Sequence, residues 1–149
     1  EDMLRLPFIV RWPRKIPSDI ISSSLLSLVD LAPTFLKLAN IEIPTQMQGV
    51  DQTEVFYGNK QNLRDHVFVE NRHNPIMPHL KTYINKNYKI SIYREANYGE
   101  LFDLENDPNE HNNIWENSNA QSLKKELLFK FAQATLKNES SKMKRVSGA

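Results

Sequence analysis

The sequence predicts an α/β chain in two parts: the end of a mostly parallel sheet, then a small α+β subdomain in which four antiparallel strands are covered by a long C-terminal helix. Three observations carry that prediction. Leu6-Pro7-Phe8-Ile9-Val10-Arg11-Trp12-Pro13 is a largely apolar run bounded by prolines, the pattern of a strand buried on both faces. Tyr88 to Arg94 alternates, with Tyr88, Ile90, Ile92 and Arg94 on one face and Lys89, Ser91 and Tyr93 on the other. Leu123, Leu127, Leu128, Phe131, Ala134 and Leu136 recur at helical spacing between Ser118 and Lys137.

The elements follow in order. After the Leu6 to Trp12 strand, Asp30 is the expected N-cap of a helix from Leu31 to Ala39, because Pro33 then falls in the first turn, where its missing N–H finds no intrahelical partner anyway. Leu31, Phe35, Leu36, Leu38 and Ala39 form its apolar face, and Asn40 can take the left-handed position after its end. A Gln-rich connection runs from Ile43 to Gly58, and the polar stretch Asn59 to Asn62 marks a boundary between residues 1–58 and a subdomain at 63–137, with 138–149 as a flexible tail. Strands are expected at His66 to Asn71, Leu80 to Asn85, Tyr88 to Tyr93 and Glu100 to Leu104. Asn85-Lys86-Asn87 forms the hairpin turn through asparagine at positive φ. On the closing helix Glu126 and Lys130 pair four residues apart, with Lys124 also outside.

Composition narrows the function. The chain has 149 residues, a formal charge of +1 and no cysteine, so no basic surface points to nucleic acid and no disulfide is available. No apolar run approaches the roughly 18–20 residues that span a bilayer. The short basic end Lys142-Met143-Lys144-Arg145 reads as a solvated terminus. His66, His73, His79 and His111 lack the short paired spacing of metal ligands. Asp30 as a metal ligand is the weaker alternative to capping. The carboxylates Glu100, Asp103, Glu105, Asp107 and Glu110 are diverted in different directions by strand alternation and the following turn, and lack the spacing of an EF-hand. Tyr83, Tyr88, Tyr93 and Phe102 suit cross-strand packing better than a stacking platform for sugars.

The densest signal is Gly99-Glu100-Leu101-Phe102-Asp103-Leu104-Glu105-Asn106-Asp107-Pro108-Asn109-Glu110-His111-Asn112-Asn113. Read physically, it is a strand followed by a turn, with side-chain acceptors at Asn106 and Asp107, fixed φ at Pro108 and a left-handed residue at Asn109. The window resembles the GELYDL-x-x-DP-x-E-x-x-N signature of sulfatases. Arg5 to Pro13 is similar to their RVPLIVRWPG segment, with Arg14 where glycine is usual, so a different turn is expected there. Asp30 to Ile41 is similar to DLAPTLLDLAGI, and Gln48-Gly49-Val50 to the QG-x-S-L turn.

The resemblance implies the C-terminal portion of a sulfatase of the alkaline-phosphatase-like superfamily: the last part of its catalytic sheet, then its C-terminal subdomain. Such enzymes hydrolyse sulfate esters with a formylglycine nucleophile, made from Cys or Ser in C/S-x-P-x-R, and a calcium ion held by Asp and Asn residues. This chain contains neither that motif nor such a cluster, so no catalytic residue, metal ligand or cofactor is assigned to it, and it is expected to be inactive alone. The implied partners are a sulfated sugar or aryl sulfate and the rest of the catalytic domain, with no nucleic acid and no membrane. A bacterial protein in the periplasm or secreted medium is the implied setting. Left alone, the apolar first strand would expose its edges and invite self-association.

Substrate contact is expected in the loop from Glu70 to Lys81. Its prolines stiffen it, and Arg72, His73, His79 and Lys81 suit an anionic sugar ester. By the resemblance these four residues bind substrate. The plainer alternative is that Arg72 pairs with Glu70 and the histidines lie in a solvated loop. Two other functions fit the same residues: a phosphatase or phosphonate monoester hydrolase of the same superfamily, and a stand-alone sugar-binding module.

Overall fold

Four antiparallel strands follow one another in space as they do in sequence: β1 (Val67–Asn71), β2 (Leu80–Ile84), β3 (Tyr88–Tyr93) and β4 (Gly99–Asp103). A computed structural model describes residues 4–72 and 79–138. The register pairs Phe68 with Tyr83, Tyr83 with Ile90, and Ile90 with Leu101, which puts these four side chains in one row on one face. The C-terminal helix α3 (Gln121–Asn138) supplies the cover. Its Phe131 ring lies 5.4 Å from Phe68 and meets Tyr83 edge-on at 6.4 Å. Ile90, Leu101 and Leu127 are almost wholly withdrawn from water, each contributing about 1.5–3 kcal/mol. The expected pair of Glu126 and Lys130 is present at 2.6 Å.

The second face of the sheet is also buried. Thr82 and Ser91 stand opposite each other and satisfy one another through their hydroxyls at 2.9 Å, while Lys89 meets Glu110 at 2.6 Å. Alternation in β3 therefore separates apolar from paired polar side chains rather than core from solvent.

Contacts divide the chain into two compact units, Glu1–Val10 with Asp65–Phe131 and Arg11–Arg64 with Ala132–Ala149. The second unit contains helix α1 (Leu31–Leu38) and the single turn α2 (Thr53–Phe56). Asn40 takes φ 57° as expected. Asn40 N–H donates to Lys37 O and Ile41 N–H to Leu36 O, which closes α1 with paired bonds to its last carbonyls.

Several expectations are corrected. Leu6 to Trp12 forms no strand; Ile9 is 92% exposed. A strand is defined by a ladder of backbone bonds to a neighbouring segment, and among the described residues the sheet is built from β1 to β4 without this run. On α1 the buried residues are Pro33 and Thr34, whereas Phe35 and Ala39 face solvent. Asp30 precedes α1 but does not cap it, because its helical φ of −79° follows from the 3-10 turn Leu28–Asp30 and turns its carboxylate away. Arg14 keeps the left-handed conformation that glycine favours, at φ 70°, so no different turn is needed. In the hairpin between β2 and β3 no asparagine has positive φ. Asn85 Oδ1 instead accepts from the N–H groups of Asn87 and Tyr88 at 2.9 and 2.7 Å. After β4 the left-handed residue is Glu110, not Asn109.

Candidate anion-recognition site at one end of the sheet

Pairing of β1 with β2 builds the site. Glu70 lies directly opposite Lys81, and Asn71 opposite Leu80, so Arg72 leaves β1 beside the point where His79 enters β2. All the basic groups then reach one oxygen. Glu70 Oε1 accepts from Arg72 Nε at 2.9 Å and Nη2 at 2.7 Å, and lies 3.3 Å from Lys81 Nζ and 3.9 Å from His79 Nε2. Lys81 Nζ also sits 5.7 Å above the Phe68 ring, which anchors its stem at the edge of the core.

The Arg72 side chain is 65% exposed, while those of Glu70, His79 and Lys81 are 34%, 31% and 29% exposed. The cluster is therefore open to a solute yet supported from behind. The Arg72 guanidinium, followed by the Lys81 ammonium, overcomes partial burial and holds the Glu70 carboxyl below the usual glutamate range. Arg72 and Lys81 against Glu70 leave one net positive charge even with His79 neutral. Such a group can present N–H donors to anionic oxygens. It contains no nucleophile.

Of the four residues expected to contact substrate, Arg72, His79 and Lys81 come together here; His73 lies outside the described residues. The pairing of Arg72 with Glu70, the plainer alternative, is present. Glu70 itself was legible only as a pairing partner, although its place two residues before Arg72 on a strand puts both on one side.

Elsewhere several carboxylates accept from nearby donors. Asp30, fully buried, accepts from Val50 N–H at 2.8 Å, Ser27 N–H at 3.0 Å, Gln52 Nε2 at 3.2 Å and Arg64 Nε at 2.6 Å, with a second bond from Arg64 Nη2. Burial alone would raise its pKa, but Arg64 and the two backbone N–H groups outweigh burial and hold the carboxyl below the ordinary aspartate value. That geometry leaves no lone pair directed at a metal. Asp107 accepts from the N–H groups of His111 and Asn112, Asp103 from those of Glu105 and Asn106, and Glu110 pairs with Lys89. Among the described residues no three His, Asp or Glu side chains are placed to share a cation.

Comparison with known proteins agrees with this architecture. Residues 1–137 match the family model described as N-sulphoglucosamine sulphohydrolase, C-terminal. The chain is 28% identical over 135 residues to an N-acetylglucosamine-6-O-sulfatase of Bacteroides thetaiotaomicron, covering 86% of this chain and 24% of that protein. It is 27% identical over 157 residues to an ulvan-active sulfatase of Formosa agariphila, covering 84% and 32%. The chain thus spans about a quarter to a third of the length of these relatives. A structure solved in complex with its substrate D-glucosamine-2-N,6-O-disulfate shares the fold with a TM-score of 0.80 at 24% identity, over 91% of this chain and 30% of that one. A phosphonate monoester hydrolase from Silicibacter pomeroyi shares it with a TM-score of 0.63 at 16% identity, over 75% and 25%. With a sequence match over residues 1–137 and the four-stranded sheet and covering helix in place, the chain belongs to the sulfatase family, in its C-terminal domain.

Proposed function

We propose that this chain is the substrate-selecting part of a sulfuric ester hydrolase acting on a sulfated sugar, and that it cleaves no sulfate ester by itself. The observation that carries the reading is the convergence of Arg72, His79 and Lys81 at one open end of the sheet, in a chain of this family. The relatives' names support the substrate class, since one is an N-acetylglucosamine-6-O-sulfatase and one structural neighbour holds a sulfated glucosamine. Arg72 and Lys81 would hold anionic oxygens of the sugar and so fix which ester enters.

Formylglycine and calcium belong to the reaction in the family resembled, but the residues here do not fit either. The chain has no cysteine and no Ser-x-Pro-x-Arg, and the carboxylate with most partners, Asp30, is saturated by Arg64 and backbone donors. Cleavage then requires a catalytic domain as partner. In the Arg11–Arg64 unit, Ile20, Ile21, Leu28, Val29, Phe35 and Ile41 are exposed apolar side chains, consistent with such a partner.

The experiment is sulfate release from glucosamine 6-sulfate and an aryl sulfate, by the chain alone and joined to a sulfatase catalytic domain. Release by the longer protein alone is expected. Turnover that survives repurification of the 149-residue chain would refute the proposed inactivity. Because a phosphonate monoester hydrolase shares the fold, phosphonate monoesters are assayed in parallel, and preference for them would move the chemistry to that branch.

A further inference from the structure

We propose that Glu70 is the positioning residue of the cluster, holding Arg72 and Lys81 so that their outward N–H groups bind an anionic sugar ester by geometry rather than by charge alone. The inference rests on the substrate-contact reading above and goes further, because it assigns a role to the one acidic group in the site. An acid in an anion site weakens binding by like-charge repulsion unless it does something else. Here it accepts both Arg72 bonds and the Lys81 contact on a single oxygen, Oε1.

Arg and Lys each lose much rotamer freedom when a ligand fixes them, at a cost comparable to the net energy of a surface contact. Glu70 lowers that cost in advance. Nε and Nη2 of Arg72 point inward to the carboxylate, which leaves Nη1 uncommitted among the described residues and fixes the plane of the guanidinium. The direct pairing of Glu70 with Lys81 across β1 and β2 sets the second cation at a defined distance, on backbone that the sheet makes rigid.

The two accounts of the cluster differ in sign. Replacing Glu70 by Gln adds one unit of net positive charge, so recognition by charge alone predicts tighter anion binding. Positioning predicts weaker binding. The test is calorimetric titration of the 149-residue chain with glucosamine 6-sulfate, for wild type, Glu70→Gln, Arg72→Ala and the double variant. Gln is isosteric and position 70 is partly exposed, so an unchanged amide spectrum is expected and recorded for each variant.

We expect Glu70→Gln to weaken binding about tenfold, and to weaken it far less when Arg72 is already alanine. The Arg72 Nε–H resonance is expected to be sharp in wild type and to exchange with solvent in Glu70→Gln, and the ligand should slow that exchange in wild type far more than in the variant. Equal or tighter binding by Glu70→Gln, with weaker binding by Arg72→Ala, would overturn the positioning role and leave the substrate-contact reading intact. If wild type does not bind the probe, or Arg72→Ala binds as well as wild type, both fall together.

Discussion

The Asn113 carboxamide pairs with the backbone of Leu101 at the outer edge of β4. Its Oδ1 accepts from Leu101 N–H at 2.9 Å, its Nδ2 donates to Gly99 O at 3.2 Å, and Ile114 N–H then donates to Leu101 O at 2.9 Å. One side chain thus begins the pairing that a fifth strand would supply, and closes an edge that would otherwise attract other chains. Asn113→Ala leaves the Leu101 N–H without its partner beside a fully buried side chain. Stability should fall by about 1–3 kcal/mol, read as a lower urea midpoint at unchanged m value. Asn113→Asp keeps the acceptor and loses the donor, and should lie between the two.

Gly99 is the other fixed point of that edge. A Cβ there would lie 2.6 Å from Ser91 O and 2.6 Å from both Cη2 and Cζ3 of Trp115. Gly99→Ala should cost about 1–3 kcal/mol and alter the Trp115 fluorescence, because the indole must move before backbone can. An unchanged spectrum and midpoint would refute the close approach of Trp115 to Gly99.

The buried pair of Asp30 and Arg64 should dominate the stability of its unit. Arg64→Ala leaves a fully buried carboxylate without its cation, and should cost about 3 kcal/mol or more. Asp30→Asn with Arg64→Met should recover much of that loss, since no charge then remains buried.

The same carboxylate predicts an acid dependence. Its pKa in the folded state lies below the unfolded value, so the unfolded chain takes up its proton first as pH falls. The pair's contribution is complete above the unfolded aspartate pKa of about 4 and is lost as pH drops through the lowered folded value. Stability curves of wild type and Asp30→Asn should therefore converge in strong acid. Parallel curves below about pH 4 would assign acid sensitivity to other carboxylates.

Arg14 offers a gain. At φ 70° it occupies a conformation that costs a side-chain-bearing residue about 1 kcal/mol. Arg14→Gly should raise the melting temperature modestly, the relief being partly offset by the greater freedom of glycine in the unfolded chain. A loss of stability would mean that the Arg14 side chain makes contacts worth more than the strain.

Local pattern was enough for much of this molecule. The alternation of Tyr88 to Tyr93, the spacing of Leu127, Phe131 and Ala134, and Asn40 after α1 each act through near neighbours, and each stands where the sequence places it. The same holds for the basic character of the loop containing Arg72 and Lys81. Turn chemistry was legible only in outline: Asn85 makes its turn with its side chain, and the left-handed residue moves from Asn109 to Glu110, because several φ assignments satisfy the same residue types.

Long-range pairing was decided by tertiary structure alone. Asp30 meets Arg64 across 34 positions, Lys89 meets Glu110 across 21, and Asn113 reaches Leu101 across 12. No local periodicity encodes such partners, since each depends on which surfaces the chain brings together and on the cost of leaving a buried polar group unpaired. The run from Leu6 to Trp12 makes the same point in reverse. Its composition determines an apolar segment, but a strand exists only where a neighbour supplies a ladder of backbone bonds, and the four-stranded sheet is completed by β1 to β4 without it.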